Sequence, residues 1–218
     1  MLERTLWGGV YALAIFWICT GQPWSPYLLS LPLACILWEL YQMKALKGVV
    51  KLASFSYVML AGWSVYTFIE HLTSVANFFL LMLFVLIWIS DSMAYVGGRL
   101  FGRTPLVPKL SPNKTWEGAL IGGLSTWGLG LWLLLSLHGP TARLSEPTSW
   151  PTYAWMLPAV IAFSAPIGDL VGSKIKRLAG VKDSGVFLPG HGGFLDRFDS
   201  FLLSIILVSL FHSQIIIA

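Results

Sequence analysis

Between Asp169 and Asp199 the chain places four of its ten carboxylates and five of its fourteen Lys and Arg residues, interleaved with glycines and a histidine. In order they are Asp169, Ser173, Lys174, Lys176, Arg177, Lys182, Asp183, His191, Gly192, Gly193, Asp196, Arg197 and Asp199. Acids beside bases at this density suit a polyanion together with a metal, because Mg²⁺ takes one or two protein carboxylates and completes its shell with water and substrate phosphates. Asp196 and Asp199 stand three residues apart at an expected helix start and so point to one side. Acids in a first turn are ordinarily accounted for by the helix dipole. Asp169 weighs against that plain explanation, since it closes an apolar run where the dipole favours a cation. The glycines beside His191 would let backbone N–H groups approach a phosphate, and the helix that follows adds positive potential. His191 itself reads as a general acid, a phosphate donor or a loop hydrogen-bond partner, and a lone histidine is more often one of the latter two than catalytic.

The stretch from Ser90 to Gly118, SDSMAYVGGRLFGRTPLVPKLSPNKTWEG, repeats the theme. Asp91 and Tyr95 share a helix face by their i, i+4 spacing, Gly97 and Gly98 are expected to end that helix, and Arg99 and Arg103 follow. Pro112-Asn113 reads as a turn, with Thr115 and Glu117 in the first turn of the next helix. The functional reading is a second phosphate clamp, Lys114 acting as a point charge and Arg99 or Arg103 as forks. Retention of topology and contact with anionic lipid heads explain Lys44, Lys47 and Lys51 well enough. They do not explain acids, bases and glycines interleaved within thirty-odd residues.

The elements that must carry these loops are apolar. At 218 residues the chain is 56% hydrophobic and 11% charged, with a mean hydropathy of +0.73, against about 25% charged in a soluble domain. Seven apolar segments can be drawn: Leu6–Cys19, Pro26–Met43, Leu52–Ile69, Leu72–Ile89, Ala119–Leu137, Tyr153–Leu170 and Phe201–Ile217. Their lengths fit helices crossing a ~30 Å hydrocarbon layer, and the alternating ten-residue strands of a barrel are not seen. The expectation is an all-α, polytopic membrane bundle of about seven transmembrane helices. Residues 1–71 would form N-terminal spans, and 72–218 a catalytic membrane domain with cytoplasmic loops 90–118 and 169–200. With the N-terminus inside, every one of the 14 Lys and Arg residues except Arg143 falls on the cytoplasmic side and the C-terminus lies outside. Pro158 and Pro166 predict kinks in the sixth segment. The first apolar run lacks a small-residue cleavage pattern and is taken as a retained span. Cys19 and Cys35 read as small buried hydrophobes rather than a disulfide or zinc site.

Residues 173–200, SKIKRLAGVKDSGVFLPGHGGFLDRFDS, resemble the signature of the phosphatidate cytidylyltransferases, the CDP-diacylglycerol synthases. The Ser90–Gly118 stretch and Gly168-Asp169-Leu170 resemble the same family's other shared stretches, so the likeness covers roughly the C-terminal 130 residues. Gly172 departs from it, standing where bacterial members usually carry Glu. The resemblance implies cytidylyl transfer from CTP to phosphatidate in the bilayer, giving CDP-diacylglycerol and pyrophosphate with Mg²⁺ and room for a second cation. It implies Asp169, Asp196 and Asp199 as metal ligands, with Asp91 an outer candidate. Lys114, Arg99, Lys174, Lys176, Arg177 and Arg197 would hold phosphates, Ser111, Asn113 or backbone would read the base, and the His191 loop would touch the nucleotide or pyrophosphate. Membrane lipids are expected partners, nucleic acid is not, a homodimer is compatible, and a bacterial inner membrane is the expected location. The rival readings are a CTP-dependent enzyme of another isoprenoid or ether lipid, a CTP-dependent lipid kinase, from another class a transporter or anion channel, and an inactive structural homologue, for which Gly172 is the only sign. Charges gathered at one face rather than at mid-span argue against transport.

Overall fold

In a bilayer every backbone N–H and C=O needs an internal partner, so apolar runs of this length fold as helices. The structure, a computed structural model, describes residues 2–22, 24–72, 76–141, 155–185, 187 and 192–216. Among them are seven α-helices: α1 (Leu2–Thr20), α2 (Ser30–Gln42), α3 (Gly48–Leu72), α4 (Ala76–Phe101), α5 (Trp116–Thr141), α6 (Leu157–Leu178) and α7 (Leu195–Ile216). The architecture is that of an all-α membrane protein. Three stretches are long and apolar enough to cross a membrane by themselves, Gly48–Glu70, Asn77–Phe101 and Trp116–Ser136, and Gly8–Thr20 is a shorter apolar helix.

Several elements differ from the expectation. The second apolar segment is not one rod: a 3₁₀ turn over Ser25–Leu29, opened by Pro26, precedes α2, which has 13 residues and so spans only about 20 Å. Gly97 and Gly98 do not stop α4, which runs on to Phe101. They serve the crossing with α5 instead, where a Cβ on Gly97 would meet Ile121 at 2.7 Å and one on Gly118 would meet the Ala94 carbonyl at 2.6 Å. The Pro112-Asn113 stretch is not a turn but part of a strand. A hairpin pairs β1 (Pro105–Val107) with β2 (Ser111–Thr115) antiparallel, Pro105 opposite Thr115 and Val107 opposite Ser111. The turn lies between, where Leu110 N–H donates to Val107 O at 3.1 Å.

Helix ends follow local chemistry. Thr115 caps α5, its Oγ1 accepting from Gly118 N–H at 3.2 Å. Pro158 sits in the first turn of α6, where a missing N–H costs nothing, so it opens the helix rather than kinking it. Pro166 lies inside α6, which continues through it to Leu178. Gly180, at φ +71°, closes α6 in the left-handed conformation, with Val181 N–H returning to Lys176 O at 3.0 Å.

Packing then sets where the charges go. Phe84 of α4 stacks on Phe201 of α7 with centroids 4.7 Å apart, and Phe198 meets Phe84 edge-on at 6.0 Å. Asp199, between these two phenylalanines in sequence, is thereby turned toward α6. On that side Gly168 and Gly172 form a small-residue face against α7. A Cβ at Gly168 would lie 2.7 Å from Asp199 O, and one at Gly172 would lie 2.5 Å from Asp199 Cβ. Ser164 and Ser204 hydrogen-bond across the same interface at 2.7 Å.

Candidate active site

A cavity of about 530 Å³ opens between α4, the hairpin and α6, lined by Asp91, Tyr95 and Arg99 of α4, Asn113 and Lys114 of β2, and Asp169 of α6, among others. Asp91 and Tyr95 do share the face their spacing predicts. The hairpin exists to deliver Lys114: Trp116 N–H bonds Thr104 O at 3.0 Å. Glu117 Oε1 and Oε2 accept from Thr104 Oγ1 at 2.9 Å and Arg103 N–H at 3.1 Å, fixing the strand to the first turn of α5. Lys114 reaches across to pair with Asp169 Oδ2. Its Nζ is shielded from solvent although the side chain as a whole is 26% exposed, so the ammonium is turned inward onto the acid it pairs with. Ser173 Oγ, one turn on, donates to Asp169 Oδ1 at 3.4 Å.

A second cluster lies beside the first along α6. Lys176 Nζ donates to Asp196 Oδ1 at 2.5 Å and stands 3.9 Å from Asp199 Oδ2. The i, i+3 reading of Asp196 and Asp199 is therefore correct: both face one lysine. Asp196 Oδ2 faces the other way and accepts from the Ser184 and Gly193 N–H groups, each at 2.9 Å. Gly192, at φ +79°, has room for no Cβ, which would lie 2.5 Å from Asp196 Oδ2. The glycines were expected to offer their N–H groups to a phosphate, but Gly193 has already given its own to Asp196. The carboxylates of Asp91, Asp169 and Asp199 lie within electrostatic range of one another, so the two clusters form one charged region.

The remaining candidates sit farther out. Arg103, Lys174, Arg177, Lys182 and Arg197 are exposed and do not line the cavity. Arg177 donates to Val181 O at 3.2 Å, at the end of α6. Ser111 starts β2 outside the lining, and His191 lies outside the described residues. No three described His, Cys, Asp or Glu side chains come close enough to hold a metal unaided. Lysines separate the acids: Lys114 is on Asp169 and Lys176 between Asp196 and Asp199. That donor set fits Mg²⁺ only as a cation that arrives with phosphates, which is its habit. Gly172 has a steric reason, since a glutamate there would drive its Cβ into Asp199.

One residue of the region escaped the sequence reading. Glu39 of α2 is 2% exposed and accepts hydrogen bonds from Ser184 Oγ and from the Phe194 and Leu195 N–H groups. The available signal was a lone carboxylate inside an otherwise apolar segment.

Against α5 and α6 a further cavity of about 560 Å³ is almost wholly apolar, lined by Trp116, Leu120, Trp127, Phe163 and Leu170 among others. It shares Leu106, Ala119 and Pro166 with the charged cavity. Fold and site together define a helical membrane protein whose charged cavity adjoins an apolar one. The model of the cytidylyltransferase family matches residues 10–215, and the chain belongs to that family. It is 43% identical over 135 residues to the phosphatidate cytidylyltransferase of Haemophilus influenzae, covering 62% of this chain and 46% of that one. Against the Staphylococcus saprophyticus protein of the same name it is 40% identical over 140 residues, covering 63% and 50%. Against the chloroplastic phosphatidate cytidylyltransferase 5 of Arabidopsis thaliana it is 46% identical over 121 residues, covering 53% and 27%. The chain thus spans half or less of the length of these relatives.

Proposed function

We propose that this chain transfers a cytidylyl group from CTP to phosphatidate, giving CDP-diacylglycerol and pyrophosphate. The observation that carries the reading is the pair of adjoining cavities, one charged and one apolar, which share Leu106, Ala119 and Pro166 in their walls, since an amphiphile with a phosphate head needs both. The names of the relatives point to the same substrate.

In this reaction a phosphate oxygen of the lipid attacks the α-phosphorus of CTP, a new P–O bond forms, and the bond to the bridging oxygen breaks as pyrophosphate leaves. The attacking oxygen is already anionic, so the protein needs no strong base; it needs to bring two polyanions together. Lys114 is the group for this, a buried ammonium whose acid partner can be exchanged for a phosphate. Arg99 at the same wall offers a fork for a second phosphate. Asn113, on the same strand as Lys114, is placed to meet the nucleotide. Lys176 holds Asp196 and Asp199 as a charge reserve behind the cavity. Asp169 and Asp91, with Asp199 behind them, would hold Mg²⁺. When bound, the ion supplies charge neutralisation of the triphosphate and of the leaving pyrophosphate. The diacyl tails lie in the apolar cavity between α5 and α6. The site faces the cytoplasm across a bacterial inner membrane, with the N-terminus inside and the C-terminus outside. That orientation rests on the placement of the cations.

The test is turnover by purified protein given CTP or another nucleoside triphosphate, with phosphatidate or another lipid phosphate, with and without Mg²⁺. Pyrophosphate release specific to CTP, phosphatidate and Mg²⁺ is the expected result. Release of CDP instead would make the protein a kinase, equal turnover with ATP would remove the nucleotide assignment, and no turnover with phosphatidate would remove the lipid.

A further inference from the structure

A carboxylate buried in an apolar helix is costly unless it is fully hydrogen-bonded. Glu39 meets that condition with partners that all belong to one place, the loop and first turn that present Asp196. Its Oε1 accepts from Phe194 N–H at 2.7 Å, and its Oε2 from Leu195 N–H at 3.0 Å and Ser184 Oγ at 2.8 Å. The same Ser184 Oγ lies 3.0 Å from Asp196 Oδ2. A hydroxyl has one proton, so Ser184 links two carboxylates and can donate to only one of them at a time.

Glu39 thus closes three of the N–H and O–H donors around the start of α7, and Asp196 Oδ2 closes the Ser184 and Gly193 N–H groups. With Oδ2 committed to the loop, Oδ1 is left for Lys176. Two glycines are shaped by the same side chain. A Cβ on Gly185 would lie 2.9 Å from Glu39 Oε1, and one on Gly193 would lie 2.4 Å from it. A helix near the N-terminus thereby sets the geometry of residues about 150 positions later.

We propose that Glu39 is a positioning residue for the transfer reaction, acting through Ser184 and the first turn of α7 to hold Asp196 and Asp199 against Lys176. The proposal rests on the cytidylyl-transfer reading of the site. None of the hydrogen-bond partners of Glu39 lines the charged cavity, so it acts on turnover through others, not on substrate capture.

The experiment uses the full chain in phosphatidate-containing nanodiscs and two variants, Glu39→Gln and Ser184→Ala. Gln keeps the shape but replaces one acceptor by a donor, and Ala removes only the hydroxyl bridge. Both variants are expected to lose kcat on the order of 10- to 100-fold, the scale of a small misplacement of reacting groups. KM for CTP and for phosphatidate is expected to stay within about twofold, since ground-state binding is untouched. Wild-type kcat in both variants would overturn the proposal, as would a loss that merely tracks the unfolded fraction in thermal unfolding. Should Glu39→Gln fail to fold, Ser184→Ala decides by the same split, and collapse of both would make Glu39 a folding residue only. Amide hydrogen exchange separates this idea from the reaction assignment. An inactive wild type refutes the transfer, while faster exchange at residues 193–197 in Glu39→Gln still supports the hold on the turn, and unchanged exchange refutes it.

Discussion

Gly172→Ala is the perturbation whose consequence can be worked out most completely. The added Cβ would stand 2.5 Å from Asp199 Cβ and 3.0 Å from its Oδ2, where ordinary contact begins at 3.4 Å. The carboxylate oxygen could swing aside, but the nearer neighbour could not, since Asp199 Cβ is fixed to the backbone of α7. The two helices must therefore part by about 1 Å to restore contact distance. Overpacking of this kind costs about 1–3 kcal/mol, and about 1 kcal/mol is regained because Ala is the better helix former. The net loss of stability is then about 0–2 kcal/mol. The effect on turnover is larger, because Asp199 and Lys176, now 3.9 Å apart, belong to the helices being separated. A displacement of about 1 Å is worth on the order of 100-fold in rate. Pyrophosphate release and thermal unfolding, measured on the same detergent preparation, test this together. A fall in kcat far out of proportion to the change in stability is expected, and Gly172→Glu, which adds a longer acidic side chain at the same contact, is expected to be worse, not better. Wild-type turnover in Gly172→Ala would refute the reasoning, since it would mean that the α6–α7 spacing does not set the activity.

Lys114→Met should lower kcat/KM on the order of 100- to 1,000-fold, the cost of removing one preorganised charge, with the fold kept, as checked by steady-state kinetics and circular dichroism. Asp196→Asn should abolish turnover and also destabilise the protein by about 1–3 kcal/mol, because an amide cannot accept at both ends from Lys176, Ser184 and Gly193; denaturation in detergent reads the second effect. Arg177→Ala, which removes an exposed side chain bonded only to Val181 O among the described contacts, should change stability by no more than about 0.5 kcal/mol and leave turnover within tenfold in the same assay. Phe84→Ala should cost about 3–5 kcal/mol in thermal unfolding, through loss of the stack that orients α7.

Most helices could be read from the sequence because an apolar run in a membrane has few alternatives to a helix. The pairing of Asp196 with Asp199 followed from spacing alone. Sequence reasoning failed where a residue's role depends on a neighbour distant in the chain. Gly97 and Gly98 carry the composition of a helix stop, yet their lack of side chains serves the approach of α5. Pro112-Asn113 carries the composition of a turn, yet the strand is imposed by pairing with Pro105–Val107. The glycines near His191 suggested a phosphate nest, but Asp196 claims the Gly193 N–H because it lies one turn away at the helix start. Glu39 was hidden for the same reason: its partners lie at Ser184, Phe194 and Leu195, and no local pattern announces them. The Lys114–Asp169 pair joins a strand and a helix separated by all of α5, which only the folded structure can bring together.

The central claim is that the cavity walled by Asp91, Arg99, Lys114 and Asp169 is where the triphosphate is held. A structure of the protein determined with CTP and Mg²⁺ tests it most directly. The account predicts phosphate oxygens within hydrogen-bond distance of Lys114 Nζ and the Arg99 guanidinium, with the Lys114–Asp169 pair opened. A triphosphate bound instead on the exposed Lys174 and Arg177 face, with that pair intact, would contradict it.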